Sequence, residues 1–456
     1  MDREKLKELR IRIPDRAAVI LDTIHKAGYE AYVVGGCVRD AIMGRQPHDW
    51  DITTSAEPGQ VKALFARTID TGLQHGTVTV MQGHEGFEVT TYRIDGKYED
   101  GRHPSEVVFT RSLREDLQRR DFTINAMAYN EQEGVVDLFG GLEDLEKGLI
   151  RAVGDPRQRF SEDALRIMRA VRFAAVFGFA IEDETRAAME EIAPNLDRIS
   201  AERINAELTK LLVSPHPELL RTAYEAGLTA RFLPELDRCM ETAQNNPHHC
   251  YTVGEHTIRT VQAIRPDKVL RLAMLLHDIA KPVCKTTDEA GVDHFYGHPD
   301  KGARMADRIL RRLKYDNDTR EKVIRLVRYH DRSMETSPGG IRKAMAFYGT
   351  DLFPLLMEVK EADVSAQSMY QREEKVEMIA RWKELYRRIR EAGDCVSLKD
   401  MAVNGNDLIE AGMAPGRELG AVLQAMFEEV LVHPEHNDRD YLMEHFAVGV
   451  KNSSVE

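Results

Sequence analysis

Residues 33–54 read Val-Val-Gly-Gly-Cys-Val-Arg-Asp, a short connection, and then Asp-Trp-Asp-Ile-Thr-Thr, and this stretch constrains the chain more than any other. Residues 31–34 form an apolar run suited to a buried strand, Gly35 and Gly36 break it, and residues 38–43 resume with helical spacing. A glycine turn between strand and helix lets backbone N–H groups approach a triphosphate without Cβ obstruction, and a helix N-terminus favours an anion. Arg39 adds a fork of donors. Asp49 and Asp51 are one residue apart, so on an expected strand over residues 50–53 both carboxylates project from one face. Together they can hold Mg2+, which takes hard oxygen ligands from carboxylates and substrate phosphates. A pair of such ions can serve both the attacking and the leaving oxygen. A lone Asp-x-Asp is more often a solvated turn; its place directly after the glycine turn favours nucleotidyl transfer.

At 456 residues the chain is long enough for about three or four domains. Its 42% hydrophobic and 30% charged content is that of an ordinary soluble protein, and no apolar run is long enough to span a bilayer. The N-terminus is charged and lacks a signal peptide's apolar core, so the expectation is a cytoplasmic protein with no membrane partner. Five scattered cysteines with no Cys-x-x-Cys pair argue against a disulfide framework or a zinc ribbon. The net charge of −13 would count against RNA binding if it were uniform, but residues 151–172 hold six arginines against three acids. Residues 304–328 hold nine basic residues against four acids.

Along the chain, residues 2–29 read as a helical preamble with Leu6, Ile11, Ala18, Ile20 and Leu21 as candidate buried positions. Residues 57–66 read as a helix, and 76–81 and 87–92 as alternating strands, the second carrying Glu88. Residues 93–104 are too polar and glycine-rich for a regular element and form a loop containing Asp100 and Arg102. In Arg-Arg-Asp-Phe-Thr-Ile-Asn-Ala-Met-Ala from Arg119 onward, Ile124, Met127 and Ala128 supply an apolar helical face. From Ser161, the spacing predicts a helix on which Asp163, Arg166, Arg169 and Arg172 share a face. Arginines interleaved with Leu165, Ile167, Met168, Val171 and Phe173 leave little free surface, which favours a row facing a ligand.

These motifs resemble the class II tRNA nucleotidyltransferases, the CCA-adding enzymes and their bacterial poly(A) polymerase relatives within the polymerase-β-like superfamily, over nearly the whole chain. The resemblance implies that Asp49 and Asp51 hold Mg2+, with Glu88 a third carboxylate, and that Gly35, Gly36, Arg39 and Arg120 serve the nucleotide's phosphates. Asn125 shapes the sugar pocket, and Asp137 with Gly140 and Gly141 forms a hinge between head and neck. Asp100 and Arg102 belong to a loop linked to adding the terminal A. Asp163, Arg166, Arg169 and Arg172 match the nucleotide-recognition helix, with Arg203 a further contact.

A second constellation follows: His256, His277-Asp278, His298, His330 and Asp363. Any one of these histidines alone reads as a core or surface residue. In the order H, HD, H, H, D they resemble the HD phosphohydrolase superfamily, and imidazole mixed with carboxylate suits Mn2+, Fe2+, Ni2+ or Zn2+ better than Mg2+. His256, His277, Asp278 and Asp363 are the firmer ligands; His298 and His330 would hold a second ion, with Lys281 near a phosphate. Residues 371–390 read as a long solvated strut. The Asn-Gly-Asn-Asp-Leu run at 404–408 and the glycine turn at 412–420 resemble tails that lie against tRNA.

The expected architecture is α+β: a polymerase-β-like head with a small mixed sheet (1–140), then an all-α neck (141–214), HD domain (215–365) and tail (366–456). The expected activity is template-independent addition of CCA to tRNA 3′ ends from CTP and ATP, with a secondary HD phosphohydrolase. Two alternatives stay open: an A-adding or poly(A) polymerase, and a metal-dependent phosphohydrolase acting on RNA ends.

Overall fold

The first described helix, α1 (Asp15–Lys26), shows why the head folds as it does: Ala17, Ile20, Leu21 and Ile24 fall on one helical stripe and are all buried. Ile11, Ile20 and Leu21 are buried as their pattern predicts, whereas Ala18 is only partly buried against the core and Ala17 is fully buried. The computed structural model describes residues 10–96 and 107–447, so Leu6, Asp100 and Arg102 lie outside the described residues. The chain divides into two compact units, Met1–Pro234 and Glu235–Glu456.

The first unit is built on a seven-stranded mixed sheet of order β3-β4-β5-β2-β1-β8-β9. Its strands are β1 (Ala31–Val34), β2 (Ile52–Thr54), β3 (Thr68–Gly72), β4 (Thr77–Gln82), β5 (Glu85–Thr91), β8 (Met127–Asn130) and β9 (Gly134–Asp137); β6 (Arg93–Asp95) and β7 (Val107–Phe109) form a separate pair. Among the described strands of this sheet only β2 and β5 pair in parallel, with Ile52 opposite Val89. Helix α1 covers one face through Val33, Ile52, Val78, Val80 and Val89. On the other face Tyr32, Val34, Tyr92, Ala126 and Ala128 pack with Leu117 of α3 (Leu113–Gln118). Between β1 and β2 runs α2 (Gly36–Ile42).

Gly140 and Gly141 open α4 (Gly141–Lys147), where the sequence suggested a flexing hinge. Gly140 has φ +79°, but a Cβ on Gly141 would overlap the Thr123 carbonyl, and Asp137 accepts the Gly141 and Leu142 N–H groups at 2.9 Å. The second glycine is thus a close-packing position, anchored by Asp137 as expected. The recognition segment also differs from its sequence pattern. Ser161 and Glu162 end α5 (Pro156–Glu162), Asp163 is extended (φ −141°, ψ 101°), and α6 (Leu165–Phe177) begins only afterwards. The Asp163 carboxylate accepts the Leu165 N–H at 3.1 Å, which favours the break over a continuous helix. Asp163 therefore stands at a kink and not on the face of Arg166, Arg169 and Arg172. Beside α6 lies α7 (Ala201–Leu212).

Helices dominate the second unit: α8 (Val253–Ala263), α9 (Lys268–Leu276), α10 (His298–Arg312), α11 (Asn317–Tyr329), α12 (Pro338–Tyr348) and α13 (Leu352–Ser365). α9 is buried from Leu270 to Leu276, so it is the central helix, and His277-Asp278 directly follow it. The long α14 (Arg372–Ala392) is no solvated strut, since Ile379, Trp382 and Ile389 bury one stripe and the Trp382 indole donates to Thr336 Oγ1 at 2.8 Å. Asn404 and Asp407 form a capping box for α15 (Gly405–Glu410), and Gly416 opens α16 (Arg417–Val432).

Candidate functional site

In the first unit, the strand register decides which carboxylates meet. β2 begins at Ile52, one residue after Asp51, so Asp49 and Asp51 sit on the approach to the strand and not within it. The Asp51 carbonyl still accepts the Val34 N–H at 2.9 Å, which ties the approach to β1. With Ile52 opposite Val89 in a parallel ladder, Asp51 falls beside Glu88. Asp49, Asp51 and Glu88 line one cavity of about 480 Å³. Partial desolvation raises the Asp51 pKa, with Arg120 pulling the other way and the negative charges of Glu88 and Asp49 adding to the rise. Three oxygen donors whose mutual repulsion a cation would relieve fit a hard divalent ion such as Mg2+.

Gly35 adopts φ +83°, and a Cβ there would come within 2.8 Å of the Arg120 guanidinium, so glycine is needed both for the turn and for the close approach of that arginine. Arg120 Nε is buried with no hydrogen-bond partner among the described residues, and Asp51 acts on its charge. Asp116, fully buried, holds Arg119 at 2.7 Å, receives the Thr53 hydroxyl at 3.0 Å and lies 3.8 Å from Arg120. Gly35 N–H itself is spent on Met127 O at 3.0 Å, and Gly36 packs against Arg39.

Arg39 is committed inside the protein: it pairs with Asp40 at 2.8 Å, donates to Asn125 Oδ1 and lies 4.7 Å from the Phe177 ring centroid. Asn125 donates on to Asp121 at 3.1 Å, and Asp121 pairs with Arg169 at 2.6 Å, so a chain of contacts joins α2 to α6. Burial opposes the charge on Asp121, but Arg169 and Asn125 outweigh it and hold its pKa well below the carboxylate range. Arg166 pairs with Glu162 at 2.8 Å, Arg172 with Glu207 at 2.6 Å, and Asp163 with Arg203 at 2.7 Å. The three arginines of α6 thus each face a different carboxylate, and Asp163 meets Arg203 in place of Arg166. Asp116 and Glu207 were not singled out from the sequence. Nothing local marks them, since a buried carboxylate is recognised by its partners.

The second unit brings all six expected ligands into one cluster. His256, His277 and Asp278 form one group able to hold a metal ion, and Asp278, His298 and His330 a second. Asp363 lies 2.9 Å from His256 Nε2. Each histidine turns Nδ1 to a backbone carbonyl: His256 to Ala366 at 3.2 Å, His277 to Met274 at 2.7 Å, His298 to Phe295 at 2.8 Å and His330 to Val327 at 2.7 Å. Nδ1 therefore carries the proton, and the Nε2 lone pairs point inward. They approach to 3.3 Å in the pairs His256–His277 and His298–His330, a separation suited to a shared cation. Both Asp278 oxygens are buried, one facing His277 at 3.2 Å and the other His298 at 3.4 Å, so this carboxylate stands between the two groups. The donor set fits two borderline transition-metal ions.

Lys281 pairs with Asp278 at 2.7 Å and lines the adjoining cavity of about 290 Å³ with Tyr296 and His249. His249 escaped the sequence reading because it sits in the loop sequence Asn-Pro-His-His, without helical context. Burial, with Lys281 and His256 adding, lowers its pKa to about 3.

Fold and head site together define a nucleotidyltransferase with a polymerase-β-like head. The family model described as the poly A polymerase head domain matches residues 31–151, a probable RNA and SrmB-binding site of polymerase A matches 178–240, and a putative tRNA nucleotidyltransferase domain 2 matches 300–446. The CCA-adding enzyme of Lactiplantibacillus plantarum is 36% identical over 429 residues, 94% of each chain, and that of Limosilactobacillus fermentum is 38% identical over 428 residues, 94% of this chain and 95% of its own. The crystal structure of the Bacillus stearothermophilus CCA-adding enzyme in complex with CTP superposes with a TM-score of 0.72 at 31% identity, covering 96% of this chain and 100% of that one. The Thermotoga maritima CCA-adding enzyme complexed with tRNA_CCA shares the fold at 20% identity, with a TM-score of 0.61 and 98% of both chains covered. This chain belongs to the CCA-adding enzymes, a family of tRNA nucleotidyltransferases. No described helix is long and apolar enough to cross a membrane.

Proposed function

We propose that the protein adds C, C and A to tRNA 3′ ends from CTP and ATP, without a template strand. The observation that carries this reading is the meeting of Asp49, Asp51 and Glu88 in one cavity, with Arg120 next to Asp51. The three carboxylates would hold Mg2+, which when bound polarises the α-phosphate and favours the alkoxide form of the attacking 3′-hydroxyl. Arg120, fixed by Asp116 and given room by Gly35, supplies positive charge to the triphosphate. Asp163 and Arg166 choose the base: cytosine and adenine each present an amine donor beside a ring acceptor, whereas uracil and guanine present a carbonyl beside an N–H. A carboxylate that only accepts and a guanidinium that only donates fit the first pair and oppose the second. Reading a base in this way requires Asp163 and Arg166 to exchange their present partners, Arg203 and Glu162, for the nucleotide. Asp100 and Arg102 act in the last step, the addition of A.

The test is purified protein with tRNA transcripts ending at the discriminator, C and CC, and each nucleotide alone or mixed. Products ending at CCA support the reading; a long A ladder or A addition alone would replace it with the polymerase or A-adding alternative.

A second reading is supported by the His/Asp cluster: a metal-dependent phosphohydrolase acting on RNA ends. Asp278 and the four oriented imidazoles hold the ions, and Lys281 offers a cation to a phosphate oxygen. Release of phosphate from 3′-phosphorylated or 2′,3′-cyclic RNA ends in Mn2+, Ni2+ or Zn2+, lost in His277→Ala, tests it.

A further inference from the structure

The hairpin of α10 and α11 carries a second positive surface that neither site uses. An open groove of about 750 Å³ runs between the two helices, lined by Arg304, Arg308, Arg311, Arg320, Arg325 and Arg328 against only two carboxylates, Asp307 and Glu321. Asp307 is neutralised within the protein, at 3.0 Å from both Arg311 and Arg320, and Arg325 donates to the Tyr348 carbonyl. Arg304 and Arg308 are exposed and have no ion-pair partner among the described residues. Arg304 and Arg308, one turn apart on α10, carry like charges, an arrangement that works against the helix.

The groove is also separate from the metal cluster. At 3.6 residues per turn, Arg304 and Arg308 lie about 80–120° around α10 from His298, and Arg325 and Arg328 lie about 140–160° around α11 from His330. The two walls therefore open on another face. The apolar lining is Ala303, fully buried, and Ile324, half-buried, so nothing is offered to a lipid tail. Forked donors on two facing walls suit a line of phosphates, and in a chain of net charge −13 such a groove is a local exception that steers a polyanion.

We propose that the groove between α10 and α11 binds the sugar-phosphate backbone of the RNA substrate, on a face apart from the His/Asp cluster. This rests on the reading of the chain as an enzyme acting on tRNA. The test uses the full-length protein with Arg304→Ala and Arg308→Ala together, and tRNA transcripts lacking CCA. Affinity measured across a salt series should fall roughly tenfold, and the slope of log K against log salt should become shallower by about 0.7–0.9 for each arginine removed. KM for tRNA should rise in proportion, with kcat at saturating tRNA and KM for CTP unchanged. Arg304→Lys with Arg308→Lys should recover most of the affinity, since the charge is kept. An unchanged unfolding midpoint separates the effect from misfolding; if the alanine pair unfolds early, the lysine pair against Arg304→Gln with Arg308→Gln decides. Unchanged affinity and salt slope overturn the proposal, as does loss of binding to anionic vesicles or an acidic peptide with tRNA binding intact. If the wild type binds tRNA but adds no nucleotide, the activity reading fails, while the salt slope still decides the groove.

Discussion

The two candidate metal centres solve the same problem, holding divalent charge, in opposite ways. In the first unit, Asp49, Asp51 and Glu88 offer oxygen alone, stand on a strand approach and in the middle of β5, and open into solvent. In the second, four imidazoles are oriented by carbonyls, and Asp278 is buried between them. An open oxygen site leaves coordination positions for substrate phosphates, so an ion there would arrive and leave with the nucleotide. A buried, pre-oriented nitrogen site retains its ions independently of substrate. On this contrast, the first centre would be completed by its substrate and the second would be complete without it.

The sharpest way to break this contrast is to exchange the losses. Asp51→Ala should reduce nucleotide addition by more than the roughly 10–100-fold that an outer partner of a metal ligand is worth, while leaving the bound-metal content untouched. Asp278→Ala should strip the retained metal, measured by elemental analysis after gel filtration, and leave addition intact. Loss of both properties in either folded variant would mean that the centres are not independent.

The second unit can be tested within itself. Because Asp278 stands between two groups, Asp278→Ala should empty both positions, whereas His298→Ala should halve the metal content. Equal losses in the two variants would reduce the pair to one ion.

A smaller effect concerns the base. If Asp163 reads the base, Asp163→Ala should weaken the rejection of uracil and guanine by about 1–3 kcal/mol for each unsatisfied polar group, or roughly one to two orders of magnitude in discrimination. Single-nucleotide assays with all four triphosphates measure this. Discrimination retained with a uniform fall in rate would leave Asp163 as the kink between α5 and α6 and nothing more.

The smallest effect is on stability. Burial would raise the Asp116 pKa, but Arg119 and Arg120 outweigh it and hold it below the usual value of about 3.9. A carboxylate with a depressed folded-state pKa stabilises fully above that unfolded value and loses the contribution as pH falls through the folded one. Denaturant unfolding between about pH 4 and pH 2 should therefore show a steeper loss in wild type than in Asp116→Asn. Parallel curves would mean that the carboxylate has the same pKa in the folded and unfolded states.

The sequence by itself determined what is local and periodic. The stripe of α1, the alternation of β4 and β5 and the glycine turn at Gly35 follow from residue type and spacing, and the resemblance carried by the motifs named the family. The six expected ligands of the second unit were legible as a set, because their order H, HD, H, H, D resembles the HD phosphohydrolase superfamily. The tertiary structure decided which long-range partners meet. Only the parallel register of β2 and β5 puts Glu88 beside Asp51. Only folding shows that Arg39 is enclosed by Asn125, Asp40 and Phe177, and that Asp163 breaks a helix the arginine spacing seemed to continue. Spacing along a chain fixes which face a side chain occupies, but its partner comes from elsewhere in the sequence, and the choice among many carboxylates is made by packing.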